Sequence, residues 1–159
     1  MEKIDIHSGM PGISGILSNL HKKPFLMNGC VFQSIEGFLQ GLRVENENEQ
    51  KRIFMLYGVP AKVSGKNHSI KNQTLYWLGK PFNRHSDFYK ELYTKAFNCC
   101  FSQNPKFQKA LYDSRNFELV HTIGKNDPNI TILTNDEFLG QLRRLRTDYI
   151  KYLEKCFEN

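Results

Sequence analysis

The stretch NGCVFQSIEGFLQGLR (residues 28–43) changes structural code midway. Asn28-Gly29 lies between the apolar triplets FLM (25–27) and CVF (30–32). Asn-Gly adopts the positive φ angles of a tight turn, so the segment predicts a β-hairpin. Ser34 then stands where a helix cap belongs. From Ile35 onward, at about 100° per residue, Ile35, Phe38, Leu39 and Leu42 form one stripe, with Glu36, Gln40 and Arg43 beside it at i, i+4, i+7. A third face carries Gly37 and Gly41. Each glycine costs about 1 kcal/mol relative to alanine in a helix interior, so something must approach that face closely.

Around this segment the chain has 159 residues, 40% hydrophobic and 24% charged. That suits one globular domain spanning 1–159 with a substantial core. No apolar run reaches the ~18 residues of a membrane span, and MEKIDIHSGMPG (1–12) lacks the basic-then-apolar layout of a signal peptide. The expectation is a cytoplasmic protein with no membrane partner. Cys30, Cys99, Cys100 and Cys156 include no CxxC pair and are expected to be reduced and mostly in the core. His7, His21, His68, His85 and His121 share no metal-ligand spacing, so neither a metal nor a cofactor is expected. A formal charge of +6 and a pI near 9.1 favour polyanionic partners: nucleic acid, nucleotides or phosphorylated small molecules.

Along the rest of the chain, SGMPGISGILSNL (8–20) reads as a glycine-rich loop ending near Ser18-Asn19. A helix is predicted from Glu47 to Tyr57, stopped by Gly58 and Pro60. AKVSGKNHSIKNQ (61–73) reads as a basic, turn-rich loop, and LYWLGKPF (75–82) as either a short helix or an extended segment. Helical spacing returns from Asp87, and a further helix starts with Asn104 as cap and Pro105 in its first turn. Residues 117–138 read as a long loop with one or two short strands. The last helix, about Asp136 to Phe157, carries an inner stripe of Leu139, Leu142, Leu145, Tyr149, Tyr152, Leu153 and Cys156, with Arg143, Arg144, Arg146, Lys151 and Lys155 mostly outside it. The sum is a mainly α (α+β) compact helical domain with a small β-hairpin and short strands. The turn-rich segments at 8–20, 58–74 and 120–137 can converge on one pocket.

These blocks resemble the NADAR (YbiA-like) family. LSNL…PF…SIEGFLQGLR is similar to the family's LSNF, PF and S/T-x-E-x-x-x-Q-x-x-K/R; AKVSGK to A-K-x-x-G-R; FSQNPKFQKALYDS…ELVH to K-F-x-Q-N-x-x-x-x-x-L-x-x-T followed by L-x-E; and EFLGQLRRLR to N-x-L-G-x-x-L-M-x-x-R. The resemblance implies a mostly helical N-glycosidase. Its substrate would be ADP-ribosyl-guanine in nucleic acid, or a ribosylamino-pyrimidinone phosphate of the riboflavin pathway. Members usually carry Trp-Gly with a nearby carboxylate before the last helix. Here that loop has no tryptophan, and Asp127 and Asp136 are the two candidate carboxylates.

Cleavage of an N-glycoside passes through an oxocarbenium-like state at the ribose C1, which calls for anionic character there and help for the leaving base. Glu36 is the expected residue for that work, held and kept ionised by Arg43 with Gln40 beside it. Lys62, at the family's A-K lysine, is expected to bind phosphate or form a Schiff base with the opened ribose. Ser18 and Asn19 are expected to hydrogen-bond ribose or phosphate, and Lys66 to contact phosphate. The alternative is a non-catalytic ADP-ribose or nucleotide-binding protein, a signal sponge. A third class is a nucleic-acid binder using the basic last helix.

Overall fold

A computed structural model describes residues 1–70 and 72–158. Lys71, in the basic stretch 61–73, and Asn159 lie outside the described residues. Among the described residues the order is β1 (Lys3–Asp5), α1 (Gly12–Leu17), β2 (Phe25–Met27), β3 (Cys30–Phe32), α2 (Ile35–Gly41), α3 (Glu47–Phe54) and α4 (Gly58–Ser64), then β4 (Thr74–Trp77), β5 (Lys80–Asn83), α5 (Asp87–Gln103), α6 (Pro105–Asp113), β6 (Glu118–Val120) and α7 (Asn135–Glu158). The fold is α+β: helices around one apolar core, with the strands in three two-stranded sheets among the described residues.

The hairpin written in residues 25–32 forms as the sequence predicts. β2 and β3 pair antiparallel with Met27 opposite Cys30, and Asn28 and Gly29 take φ of 50° and 76°. The segment around Trp77 is extended, and β4 and β5 form a second hairpin. β1 pairs with β6 in parallel, Ile4 opposite Leu119, which joins the two ends of the chain before the last helix.

Ser34 caps α2 as predicted: its Oγ accepts from the Gly37 amide at 2.9 Å and donates to the Leu56 carbonyl at 2.8 Å. Phe38, Leu39 and Leu42 are buried. The glycine face of α2 meets the α3 segment. A Cβ on Gly37 would lie 2.6, 2.9 and 3.2 Å from the carbonyl oxygens of Leu56, Ile53 and Phe54, and one on Gly41 would strike the Phe54 ring. Packing against α3 offsets the helical cost of both glycines.

Three expectations need correction. The 8–20 stretch holds a helix, α1, because Ile13 and Ile16 pack against the core and Leu17 is fully buried within it. Tertiary burial outweighs the glycine content there. The 58–74 stretch begins with α4, whose Pro60 sits in the first turn, where its missing N–H leaves no hydrogen bond unmade. The inner stripe of α7 stops being buried after Leu145; Tyr152 is 61% exposed and Cys156 is exposed, because the helix runs past the body that covers it. Of the cysteines, Cys30 and Cys100 are buried, Cys99 half-buried and Cys156 exposed. No described helix is long and apolar enough to cross a membrane.

Candidate functional site

The second face of α2 opens onto a cavity of about 450 Å³ on one side and a hollow of about 610 Å³ on the other. Glu36, Gln40, Arg43 and Lys62 line both. Ser18 and Asn19 join them in the first, Lys66 in the second, and Lys125 touches both. The structure therefore gathers six of the sequence-predicted residues around a seventh, the carboxylate of Glu36.

Glu36 is positioned by its backbone and by one neighbour. Its amide donates to the Asn19 carbonyl at 2.9 Å, tying α2 to the end of α1, and its Oε1 accepts from the Gln40 amide nitrogen at 2.8 Å. Arg43 does not grip the carboxylate as expected. Its Nη1 donates to the His68 carbonyl at 3.0 Å, and its buried Nε has no hydrogen-bond partner among the described residues. Burial raises the Glu36 carboxyl above the ordinary carboxylate range, against the lowering pull of the Gln40 hydrogen bond and of the positive fields of Arg43, Lys62 and His121.

The far wall of the cavity is the segment between β6 and α7, supplying Ile130, Ile132 and Leu133 with Phe138 from the helix. It is pinned from behind. Arg84, 2% exposed, donates from Nε to the Thr131 carbonyl at 3.1 Å and pairs with Glu137 at 2.6 Å. The Tyr89 hydroxyl donates to the Ile132 carbonyl, and the Gln73 amide to the Asn129 carbonyl at 3.0 Å. On the near side, Lys23 is buried beneath the Ser18-Asn19 corner, donating to the carbonyls of Ile16 at 2.6 Å and Ser18 at 2.8 Å.

Asp127 and Asp136 line neither cavity. Asp127 is exposed and its Oδ1 accepts from the Asn129 amide at 2.9 Å, a local turn. Asp136 is exposed in the first turn of α7, where its amide donates to the Asn126 side chain. A lining residue that the sequence reasoning did not single out is His121, just past β6. In the sequence it closes the ELVH block (118–121) that carries part of the family resemblance. Of the α7 arginines, Arg143 donates to the Leu119 carbonyl and Arg146 to the Phe117 carbonyl, so both brace neighbouring segments. No group of three or more His, Cys, Asp or Glu residues stands close enough to hold a metal ion among the described residues.

The arrangement offers one half-buried carboxylate between a cavity with an apolar far wall and a basic hollow.

The E. coli protein YbiA, solved by NMR, matches with a TM-score of 0.63 over 96% of this chain and 88% of its own, at 16% identity, which is a likeness of fold. The 17.1 kDa protein of the Gp30-rIII intergenic region of Enterobacteria phage T4 is 41% identical over 149 residues, covering 92% of this chain and 98% of the phage protein. The family model described as bacteriophage protein GP30.3 matches residues 12–147, a span that includes α2, the cavity and most of its walls. The chain belongs to the bacteriophage protein GP30.3 family, on a YbiA-like α+β fold.

Proposed function

We propose that the protein is an N-glycosidase that hydrolyses the bond between a ribose and a nitrogen base, either ADP-ribosyl-guanine in nucleic acid or a ribosylamino-pyrimidinone phosphate. The observation that carries this is Glu36, half-buried at the junction of the two cavities and ringed by Gln40, Arg43, Lys62 and Lys125. The carboxylate faces the ribose C1 and steadies positive charge there as the C–N bond lengthens. Lys62, Lys66 and Lys125 receive the phosphates, and the unpaired Nε of Arg43 adds a donor in the same wall. The Ile130, Ile132 and Phe138 side takes the base.

A second reading has its own support. Asp127 and Asp136 stand outside the cavities, leaving Glu36 as the single carboxylate that lines them among the described residues. A pocket with one carboxylate and several cations also fits a protein that binds ADP-ribose or a nucleotide without cleaving it. Incubation with ADP-ribosylated guanine DNA and, separately, with the ribosylamino-pyrimidinone phosphate separates the two. Ribose release seen by mass spectrometry and abolished by Glu36→Gln supports the enzyme. Calorimetric binding of ADP-ribose with no release from either compound supports the sponge.

A further inference from the structure

We infer that His121 is the second proton-transfer group of this cavity, the partner that Glu36 otherwise lacks; the inference rests on the glycosidase reading above. His121 follows β6 directly, and the parallel ladder with β1 continues past it through the Ile6 amide, which donates to the Val120 carbonyl at 2.8 Å. The imidazole is thereby fixed on a rigid pair of strands. Its Nδ1 lies 2.8 Å from the Ile6 carbonyl. A carbonyl only accepts, so Nδ1 carries a proton, and Nε2 on the opposite edge is left to gain or lose the other. Among the described residues Nε2 has no hydrogen-bond partner.

The ring is held in place by contacts that leave that edge open. The Phe138 ring meets it edge-on at 5.3 Å and 77°. At Gly124 a Cβ would sit 2.7 Å from the His121 Cδ2, the carbon bonded to Nε2. The absence of that side chain keeps room beside the free nitrogen. The groups whose charge His121 feels include Asp5 from β1, held by Thr122, and Glu36 from α2. His7 faces Asp5, while Lys62 of α4 and Lys125 of its own loop share the cavity wall.

Hydrolysis needs a base for water on one side of C1 and an acid for the departing nitrogen on the other. Glu36 as carboxylate takes a proton from water as the water oxygen bonds to C1. The C1–N bond breaks, and cationic His121 gives the Nε2 proton to the ring nitrogen. The products are a ribose with a C1 hydroxyl and the free base, with one water added across the bond. The proton on Glu36 then returns to His121 through solvent.

The test is the pH profile of kcat and KM for the wild type, His121→Asn and His121→Gln on whichever ribosyl substrate is cleaved. Asn can still donate to the Ile6 carbonyl, and Gln can place a donor near the Nε2 position, but neither titrates. The assignment predicts a loss of about 10²–10³-fold in kcat, with the alkaline limb of the profile removed in both variants. KM and Tm stay close to wild type. Survival of the alkaline limb in both variants overturns the assignment alone, as does a defect confined to KM or to thermal stability. No release by the wild type from either compound overturns the glycosidase reading and this assignment with it.

Discussion

Glu36 is a charged residue placed where charge is disfavoured, and that has a consequence for stability. Burial raises its folded-state value above the unfolded one, so its contribution to stability is fully present below the unfolded value and is lost as pH rises through the folded value. Glu36→Gln is therefore expected to raise Tm relative to wild type at pH 7 and to lose that advantage by pH 4, in parallel thermal melts. Lys23 behaves in the reverse sense. Burial lowers its amine to about 8, so its contribution to stability grows as pH rises from about 8 towards the unfolded lysine value of about 10.4. Lys23→Met removes that alkaline gain. It also leaves the Ile16 and Ser18 carbonyls without their donor, a loss of about 1–3 kcal/mol at pH 7 by urea titration. At this scale the sequence was legible for Glu36, Gln40 and Lys62, because helical spacing and a motif placed them together. It was silent on Lys23 and His121, whose partners at Ile16, Ser18 and Ile6 are set by folding and not by spacing.

The element that organises the site is α2, and its glycine face makes a sharp prediction. Gly37→Ala would push a methyl group into three carbonyl oxygens of the α3 segment, so a destabilisation of about 2–3 kcal/mol is expected, with weakened binding as Glu36 shifts. Gly140→Ala is the control. Nothing lies within 4 Å of a Cβ there, in the second turn of α7, so the helix propensity of alanine should stabilise the protein by up to about 1 kcal/mol. Opposite signs for the two substitutions in denaturant melts test whether glycine is present in α2 for close packing. The two faces of α2 were visible in the sequence, and so was the need for a close neighbour. Which neighbour was not, since α3 and its following turn are brought there by the chain reversal at Leu42–Asn46, where no residue pattern announces the contact. The helices α1 and α4 were missed for a related reason: each is a short, Gly- or Pro-containing segment stabilised mainly by what it packs against.

Across the whole molecule, the cavity exists because the Ser18-Asn19 corner, α2, α4 and the segment before α7 meet at one place. The far end of α7 takes no part in it. Ending the chain after Ile150 removes residues 151–159, of which Lys151 through Glu158 are all exposed except half-buried Leu153, and should change stability by no more than about 1 kcal/mol while leaving ligand binding intact, by calorimetry and thermal melt. Residue identity alone was enough for the hairpin at residues 25–32, the cap and two faces of α2, the long helices α5 and α7, and the grouping of Glu36, Gln40 and Arg43. These depend on local dihedral preference and on periodicity, which residue identity encodes directly. It took the packed fold to settle that Gln40 rather than Arg43 holds the carboxylate, that Asp127 and Asp136 stay outside, and that His121 comes in. Those choices depend on burial and on partners far apart in the chain: His121 bonds to Ile6, and Arg84 to Thr131 and Glu137. Spacing along the sequence carries no record of such distances.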